Sequence, residues 1–192
     1  MPSSVEVPTG WEIPSGKQAF DQVSEVVTYL RSRGLAPTPD QSRILECLIE
    51  LPVRQPSRVS VTKAASLLYM SRRTLGRQCE KAGLPSPSRI LGFARILSTL
   101  RMIRATDWPI GKAANSTGWP DPFSFSNAVH RVTGLRPTVA RTRGLLFVAE
   151  AWLQMELATG RLILREPQAP PCPACGRDLV SSTDRSFTAP IT

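Results

Sequence analysis

The sequence predicts an all-α protein in which two tandem helix-turn-helix units are joined by a long helix, with further helices on both flanks and a Pro-rich, Cys-containing tail. Three observations predict this class. Apolar residues recur at helical spacing, and no segment alternates apolar and polar residues over more than five positions. Helix-capping residues and prolines lie at the ends of the apolar segments. A short pattern in the middle of the chain occurs twice, about 50 residues apart.

The N-terminal part of the chain divides into a polar arm and two helices. Residues 1–16 are rich in Pro, Gly and Ser and are predicted to form a flexible arm. From Lys17 to Arg33 apolar residues fall on one helical stripe, and Gly34 follows as a C-cap. A second helix is predicted at about 40–51, so that residues 17–58 form a helical N-terminal segment.

The repeated pattern defines two similar units. Val61-Thr-Lys-Ala-Ala-Ser66 reappears as Ile110-Gly-Lys-Ala-Ala-Asn115. Each copy leads into a turn and then an N-cap residue, Ser71 in the first unit and Asp121 in the second. Each N-cap opens a second short helix that ends at a Gly-Leu pair, so each unit predicts a helix, a turn and a helix.

Two longer helices complete the prediction. A joining helix is expected from its cap, Ser86, to about Arg104, with Pro in the first helical position. A last helix starts at Pro137 and is predicted to extend to Leu157, with Gly160 ending it. A short extended piece is expected at 161–165. The predicted boundaries after the N-terminal segment are 59–143 for the two-unit domain, 144–160 for a C-terminal helix and 161–192 for the tail.

The turns of the two units differ in one residue. Ala65 and Ala114 supply the small side chain that two steeply crossing helices need at their contact. Four residues later, Gly118 can take the positive φ that a tight turn often requires. Tyr69 stands at the equivalent position of the first unit, so that turn must find another conformation or carry strain.

Positive charge is concentrated in the two-unit domain. Between Ser60 and Arg143 there are fourteen Lys or Arg and three acidic residues, a net charge of +11, whereas the flanks together carry −2. Nucleic acid and acidic membrane surfaces both attract such a domain. No apolar run is long enough to span a bilayer and Met1–Gly10 has no signal-peptide pattern, so we expect a cytoplasmic protein without a membrane partner.

The second helix of the first unit has the composition of a DNA-reading helix. Leu75 and Cys79 lie one turn apart and are expected to face inward, which leaves Arg73 and Arg77 pointing outward together. Arginine forks suit bidentate contacts to guanine in the major groove, which admits one α-helix. A joining helix of 19 residues spans about 28 Å, close to the roughly 34 Å between consecutive major grooves.

A wider set of residues carries a family resemblance. The set comprises Ala65, Ser71-Arg-Arg-Thr-Leu75, Arg95, Ile110, Ala114, Gly118-Trp119-Pro-Asp121, Phe125-Ser126, Gly134-Leu-Arg-Pro137 and Arg141. Over about residues 60–143 these positions resemble the DNA-binding domain of AraC/XylS-type transcription regulators. The resemblance implies an all-α domain with two helix-turn-helix units that binds double-stranded DNA and regulates transcription, without enzymatic activity.

The resemblance also implies roles for individual residues. By position, the family's base-reading residues correspond to Arg73, Gly76 and Arg77 in the first unit and to Pro122, Phe123, Ser126 and Asn127 in the second. Contacts to the DNA backbone are expected from Thr62, Arg72, Lys112 and Arg131. Because the second reading helix opens with Pro-Phe and carries few donors, we expect the first unit to read sequence and the second mostly to grip phosphate.

Two other interpretations remain open from the sequence. The chain could be a non-specific or architectural DNA-binding module, which would show a specificity ratio near one in competition with random duplex. A DNA-modifying protein that uses Cys175 is the enzymatic alternative, and the residues left for a catalytic domain are few. RNA polymerase and a second copy of the chain are further candidate partners of a regulator.

Several residues outside the reading helices invite a functional or a structural explanation. Cys172 and Cys175 form a Cys-x-x-Cys pair that could supply half of a zinc site, which a dimer would complete. A thiol switch and a tail remnant without function are the alternatives, and otherwise no cofactor is expected. Cys47 and Cys79 are predicted core residues. Arg95 is expected to make a structural ion pair or a DNA contact. One helical stripe predicts either a dimer face or packing against the N-terminal helices: Leu145, Leu146, Val148, Ala149, Trp152, Leu153, Glu156 and Leu157.

Overall fold

The structure, a computed structural model, describes residues 16–56 and 59–164 of the chain, and that part contains nine helices and no strand. The predicted all-α class, with two helix-turn-helix units on either side of a long helix, is confirmed. In chain order the helices are α1 (Gly16–Ser32), α2 (Pro39–Arg54), α3 (Val61–Leu67), α4 (Arg72–Lys81), α5 (Pro87–Thr106), α6 (Ile110–Ser116), α7 (Pro122–Thr133), α8 (Pro137–Arg143) and α9 (Leu145–Ala158).

Helices α3 and α4 form the first unit, and α6 and α7 form the second. Both predicted N-caps are confirmed. The Ser71 hydroxyl accepts a hydrogen bond from the Thr74 backbone N–H at 3.0 Å, and the Asp121 carboxylate accepts one from the Ser124 backbone N–H at 2.7 Å. Each cap satisfies a backbone donor that the first helical turn leaves without an intrahelical partner, which fixes where the second helix of each unit begins.

The two turns have the same backbone conformation despite their different residues. Gly118 has a φ of 76°, and Tyr69 has a φ of 53°. Tyr69 donates its N–H to the Ser66 carbonyl at 3.1 Å, and Gly118 donates its own to the Asn115 carbonyl at 3.0 Å. The left-handed conformation is costly for a residue with a Cβ, so the first turn carries strain, which is one of the two alternatives that the sequence left open for Tyr69.

Helix α5 forms the centre of the core. It is buried around most of its circumference, and its most extensive packing is against α2. On another side, Phe93 stacks on Trp152 of α9 with 4.2 Å between ring centroids. Near its start, Arg89 donates from Nη2 to the carboxylate of Glu156 at 2.5 Å and from Nε at 3.1 Å, and Glu156 is completely buried. Flanking helices therefore hold α5 in place.

The predicted last helix is wrong in one respect. Instead of one helix from Pro137 to Leu157, the chain forms α8 and α9, separated at Gly144, whose φ of 94° and ψ of 168° are not helical. The break turns the apolar face of α9 onto α1, α5 and α7. Val148 and Trp152 on that face are fully buried by the chain itself, which supports the predicted packing against the N-terminal helices, whereas Leu146 of the same stripe is 44% exposed.

Smaller expectations also need correction. Ser86 occupies the N-cap position of α5, but its hydroxyl is bonded to the Ser88 hydroxyl at 3.1 Å and caps no backbone N–H. Cys79 is buried as predicted, whereas Cys47 is only half-buried. Among residues 161–164 no strand forms, although the Ile163 N–H donates to the Gly83 carbonyl at 3.0 Å. The predicted arm, up to residue 15, lies outside the described residues.

Candidate nucleic-acid interface

Helix α4 has one buried side and one cationic side. Leu75 and Cys79 are buried against the core, as the sequence predicted. Arg72, Arg73 and Arg77 are exposed. Because Arg73 and Arg77 lie four residues apart in the helix, their guanidinium groups leave the same face. The short α3 helix fixes this orientation by packing its buried alanines beneath α4.

The three arginines of α4 have no hydrogen-bond or ion-pair partner anywhere in the described chain. Elsewhere, arginines are used within the fold, in ion pairs with Glu46, Glu150, Glu50, Glu156 and Asp107. The positive charge of α4 is therefore not neutralised by the protein. A polyanion that approached this helix would meet fully available N–H donors.

Gly76 lies between these arginines, in the interior of α4. A Cβ built on Gly76 would meet no atom within 4 Å, so packing within the protein does not require glycine here. Glycine inside a helix costs about 1 kcal/mol relative to alanine. The groove beside Gly76 is lined by Val61, Arg72, Arg73 and Pro87. The helix thus has an open notch in the middle of its cationic face.

Helix α7 presents a different face. Phe125 and Val129 are buried as predicted, and Asn127 and Arg131 are exposed. The ring of Phe123 is 74% exposed, although it belongs to a large apolar residue. Ser126 is half-buried and donates its hydroxyl to the Pro122 carbonyl of the same helix at 2.9 Å. The outward face of α7 therefore combines one apolar ring with few available donors.

The start of α7 is anionic, whereas the start of α4 is not. The Asp121 carboxylate accepts from the Ser124 hydroxyl at 2.6 Å in addition to its bond from the backbone. The hydrogen bond from the Ser124 hydroxyl, followed by those from backbone N–H groups, lowers the pKa of Asp121, which keeps the carboxylate charged at neutral pH. The neutral hydroxyl of Ser71 caps α4.

The predicted backbone-contact residues are all at the surface. Thr62, Arg72, Lys112 and Arg131 are exposed. The Lys112 ammonium lies 4.1 Å from the centroid of the Trp108 ring, which orients the lysine side chain without neutralising its charge. These positions match what phosphate contacts require, since a cation or hydroxyl must reach solvent to meet the DNA backbone.

Arg95 has a structural role, but not the predicted ion pair. From α5 it donates to the backbone carbonyls of Thr117 and Gly118, in the turn of the second unit. Its guanidinium also lies 4.4 Å from the centroid of the Trp119 ring. The Trp119 indole N–H donates in turn to the Thr99 hydroxyl at 2.9 Å. Arg95 therefore fixes the second unit to the joining helix.

Sequence reasoning assigned no DNA contact to several further exposed cations of the domain. Lys63, Lys81 and Arg136 form no ion pair within the part of the chain that the structure describes. The repeat contained the signal for one of them, because Lys63 stands in the first copy where Lys112 stands in the second. All three add to the positive field of the domain.

The predicted metal pair cannot be placed, because Cys172 and Cys175 lie outside the described residues. Within residues 16–56 and 59–164 no group of three or more His, Cys, Asp or Glu side chains could hold a metal ion. Burial raises the pKa of Cys79 to about 11, so this thiol is protonated at neutral pH. No described helix is long and apolar enough to cross a membrane.

Comparison with known proteins agrees with this geometry. Residues 64–143, which run from α3 to the end of α8, match a family model described as a helix-turn-helix domain. The matched segment contains most of α3 and the whole of α4 to α8, including α5. No curated protein and no solved structure matches the chain.

Proposed function

We propose that the protein is a transcription regulator that recognises a specific DNA sequence in the major groove. Residues 64–143 match a helix-turn-helix family model, which is consistent with the AraC/XylS-type DNA-binding domain that the sequence resembles. The family match supports DNA binding and a regulatory role in general terms. Sequence specificity is the further step, and it depends on which groups the reading helices offer to the bases.

The exposed, unpartnered arginine pair on α4 is the observation that carries the proposal. Arg73 and Arg77 share one face, and neither is held by an acid of the protein. A helix in the major groove with this face toward the bases can place two forks on guanine edges, each worth about 1–3 kcal/mol of discrimination. Gly76, between them, lets the helix backbone approach closely.

The second unit contributes other contacts to DNA than the first. In our proposal Lys112 and Arg131 contact phosphates, and Asn127 and Phe123 face the bases. Helix α5 has 20 residues and so spans about 30 Å, which suits two helices in consecutive grooves roughly 34 Å apart. Arg95 supports the arrangement because it ties the second unit to this spacer.

The test begins with selection of bound duplexes from a random pool by the full chain. We expect a preferred site, and a preference over random duplex of a thousandfold or more would be typical of specific binding, with a range of about 10³–10⁷. A ratio near one would favour the non-specific, architectural alternative and would refute the proposal.

Arg77→Ala then separates reading from simple charge attraction. With duplexes mutated at each position of the preferred site, the variant should lose discrimination at one or two positions, by about 1–3 kcal/mol. Arg161→Ala is the matched control, since it removes one exposed positive charge outside the matched segment. Uniform weakening across all duplexes by Arg77→Ala would make Arg77 a phosphate contact only.

A further inference from the structure

The N-terminal turn of α7 is chemically unlike that of α4, although the two helices occupy equivalent places in the repeat. Counted from the N-caps Ser71 and Asp121, Phe123 stands at the position of Arg73, and Asn127 at the position of Arg77. Where the first unit offers a guanidinium, the second offers an apolar ring that is 74% exposed.

The polar groups around Phe123 are already occupied. Pro122 has no backbone N–H, and the Ser124 backbone N–H and hydroxyl both donate to Asp121. The Ser126 hydroxyl donates to the Pro122 carbonyl. Because the Asp121 carboxylate is also negative, this turn neither attracts phosphate nor has a side-chain donor free for a base edge. The ring is the group left to make contact.

The position of the ring is well determined by the fold. A Cβ built on Gly111 of α6 would lie 3.1 Å from Cγ of Pro122, so the two helices approach closely at this point because residue 111 is glycine. Phe125 and Val129, both fully buried, anchor the opposite side of α7. The exposed ring therefore projects from a rigid helix end.

We propose that Phe123 recognises the 5-methyl group of thymine in the half-site bound by the second unit. In the major groove, thymine alone among the four bases presents a methyl group, and apolar side chains contact it. The inference rests on the proposed sequence-specific function and names the chemical group that the second unit reads. It replaces the expectation that this unit mostly grips phosphate at the start of its reading helix.

The experiment removes the methyl group and the ring separately. In the preferred duplex, each dT of the second half-site is replaced by dU, which keeps base pairing and deletes only the methyl. For the wild-type chain we expect about a fourfold loss of affinity at one or two positions, the value of one buried methyl. Phe123→Ala should bind the dT and dU duplexes equally, whereas Phe123→Leu should keep part of the preference.

Phe147→Ala is the matched control, because it removes another exposed aromatic ring, on α9 and outside the matched segment. It should leave the dU penalty unchanged. Since Phe123 is mostly exposed, Phe123→Ala should also leave the thermal unfolding temperature unchanged, so a loss of binding cannot be attributed to misfolding.

The outcomes are separable. Failure to select any preferred site overturns both this inference and the proposed function. A preferred site with no dU penalty, or a penalty that persists in Phe123→Ala, overturns the methyl contact and leaves the proposed function standing. A third outcome is that the wild-type chain bends the DNA, that Phe123→Ala abolishes the bend, and that no dU penalty is seen. The ring would then be inserted between base pairs, and the methyl contact would likewise be overturned.

Discussion

Gly76→Ala should increase the stability of the protein while decreasing its affinity for DNA. Alanine removes the conformational cost of an interior helical glycine, and the added methyl meets no atom of the protein within 4 Å. We expect the free energy of unfolding to rise by about 0.5–1 kcal/mol, which raises the unfolding temperature by roughly 1–4 °C for a chain of this size.

Binding should change in the opposite direction. If α4 lies in the major groove with Gly76 toward the bases, the new methyl occupies space that DNA requires. Crowding of one or two methylenes into a packed interface costs about 1–3 kcal/mol, so the dissociation constant should rise by about 5- to 150-fold. Fluorescence anisotropy with the preferred duplex measures this loss, and thermal unfolding of the same samples measures the gain.

Gly92→Ala is the matched control. Gly92 is an interior glycine of α5, and a Cβ there would also meet nothing within 4 Å. This variant should show the same stabilisation and unchanged DNA affinity. If Gly76→Ala bound DNA as well as the wild type, α4 would not approach DNA by this face. If both variants lost affinity equally, the cause would be a general effect of helix stabilisation and not a contact at Gly76.

Three other predictions concern the fold that supports the interface. Tyr69→Gly should raise the free energy of unfolding by about 1 kcal/mol, since Tyr69 has a positive φ and a side chain 91% exposed. Arg95→Ala should lower it by about 2 kcal/mol by removing two charge-assisted hydrogen bonds and a ring contact. Glu156→Ala should cost about 3–5 kcal/mol because it leaves Arg89 without its buried partner, and replacing both by Met should restore most of that loss.

Chemical denaturation measures all three, and each has an outcome that contradicts it. A Tyr69→Gly variant less stable than wild type would show that the tyrosine ring contributes more than the strain costs, and Tyr69→Ala separates the two effects. Equal stability of Arg95→Ala and wild type would mean that α5 does not hold the second unit through this residue. If the variant with both Arg89 and Glu156 replaced by Met were as unstable as Glu156→Ala, the ion pair would contribute more to the free energy of unfolding than the neutralisation of each charge by the other.

The sequence predicted those features that depend on local pattern. The repeat located both units, both side-chain caps and the strained turn at Tyr69, because the alignment with Gly118 exposed the missing glycine. Features that depend on tertiary contact were not accessible. Gly144 was a local signal for the break between α8 and α9, and the predicted domain boundary fell there, but the apolar residues that follow it led to a single predicted helix across the break. Arg95 finds its partners in carbonyl groups 22 and 23 residues away, which no local pattern shows.

For the candidate interface, the sequence predicted which side chains are buried and which are exposed, but it did not predict which hydrogen-bond donors are free. Helical spacing correctly separated Leu75 and Cys79 from the exposed arginines of α4. It did not show that the Asp121 carboxylate and the Pro122 carbonyl take up the donors of Ser124 and Ser126, since these hydrogen bonds depend on side-chain conformation. The groups that α7 leaves available for contact could therefore be identified only from the structure.

The enclosure of α5 by α2 and α9 limits where the chain can be cut. A fragment containing only residues 59–143 would uncover the side of α5 that α2 packs against, and it would leave Phe93 without the ring of Trp152. Such a fragment should aggregate in solution or unfold near room temperature. Mutations in α2 or α9, far from the proposed DNA contacts, can therefore abolish regulation by destabilising the core around α5.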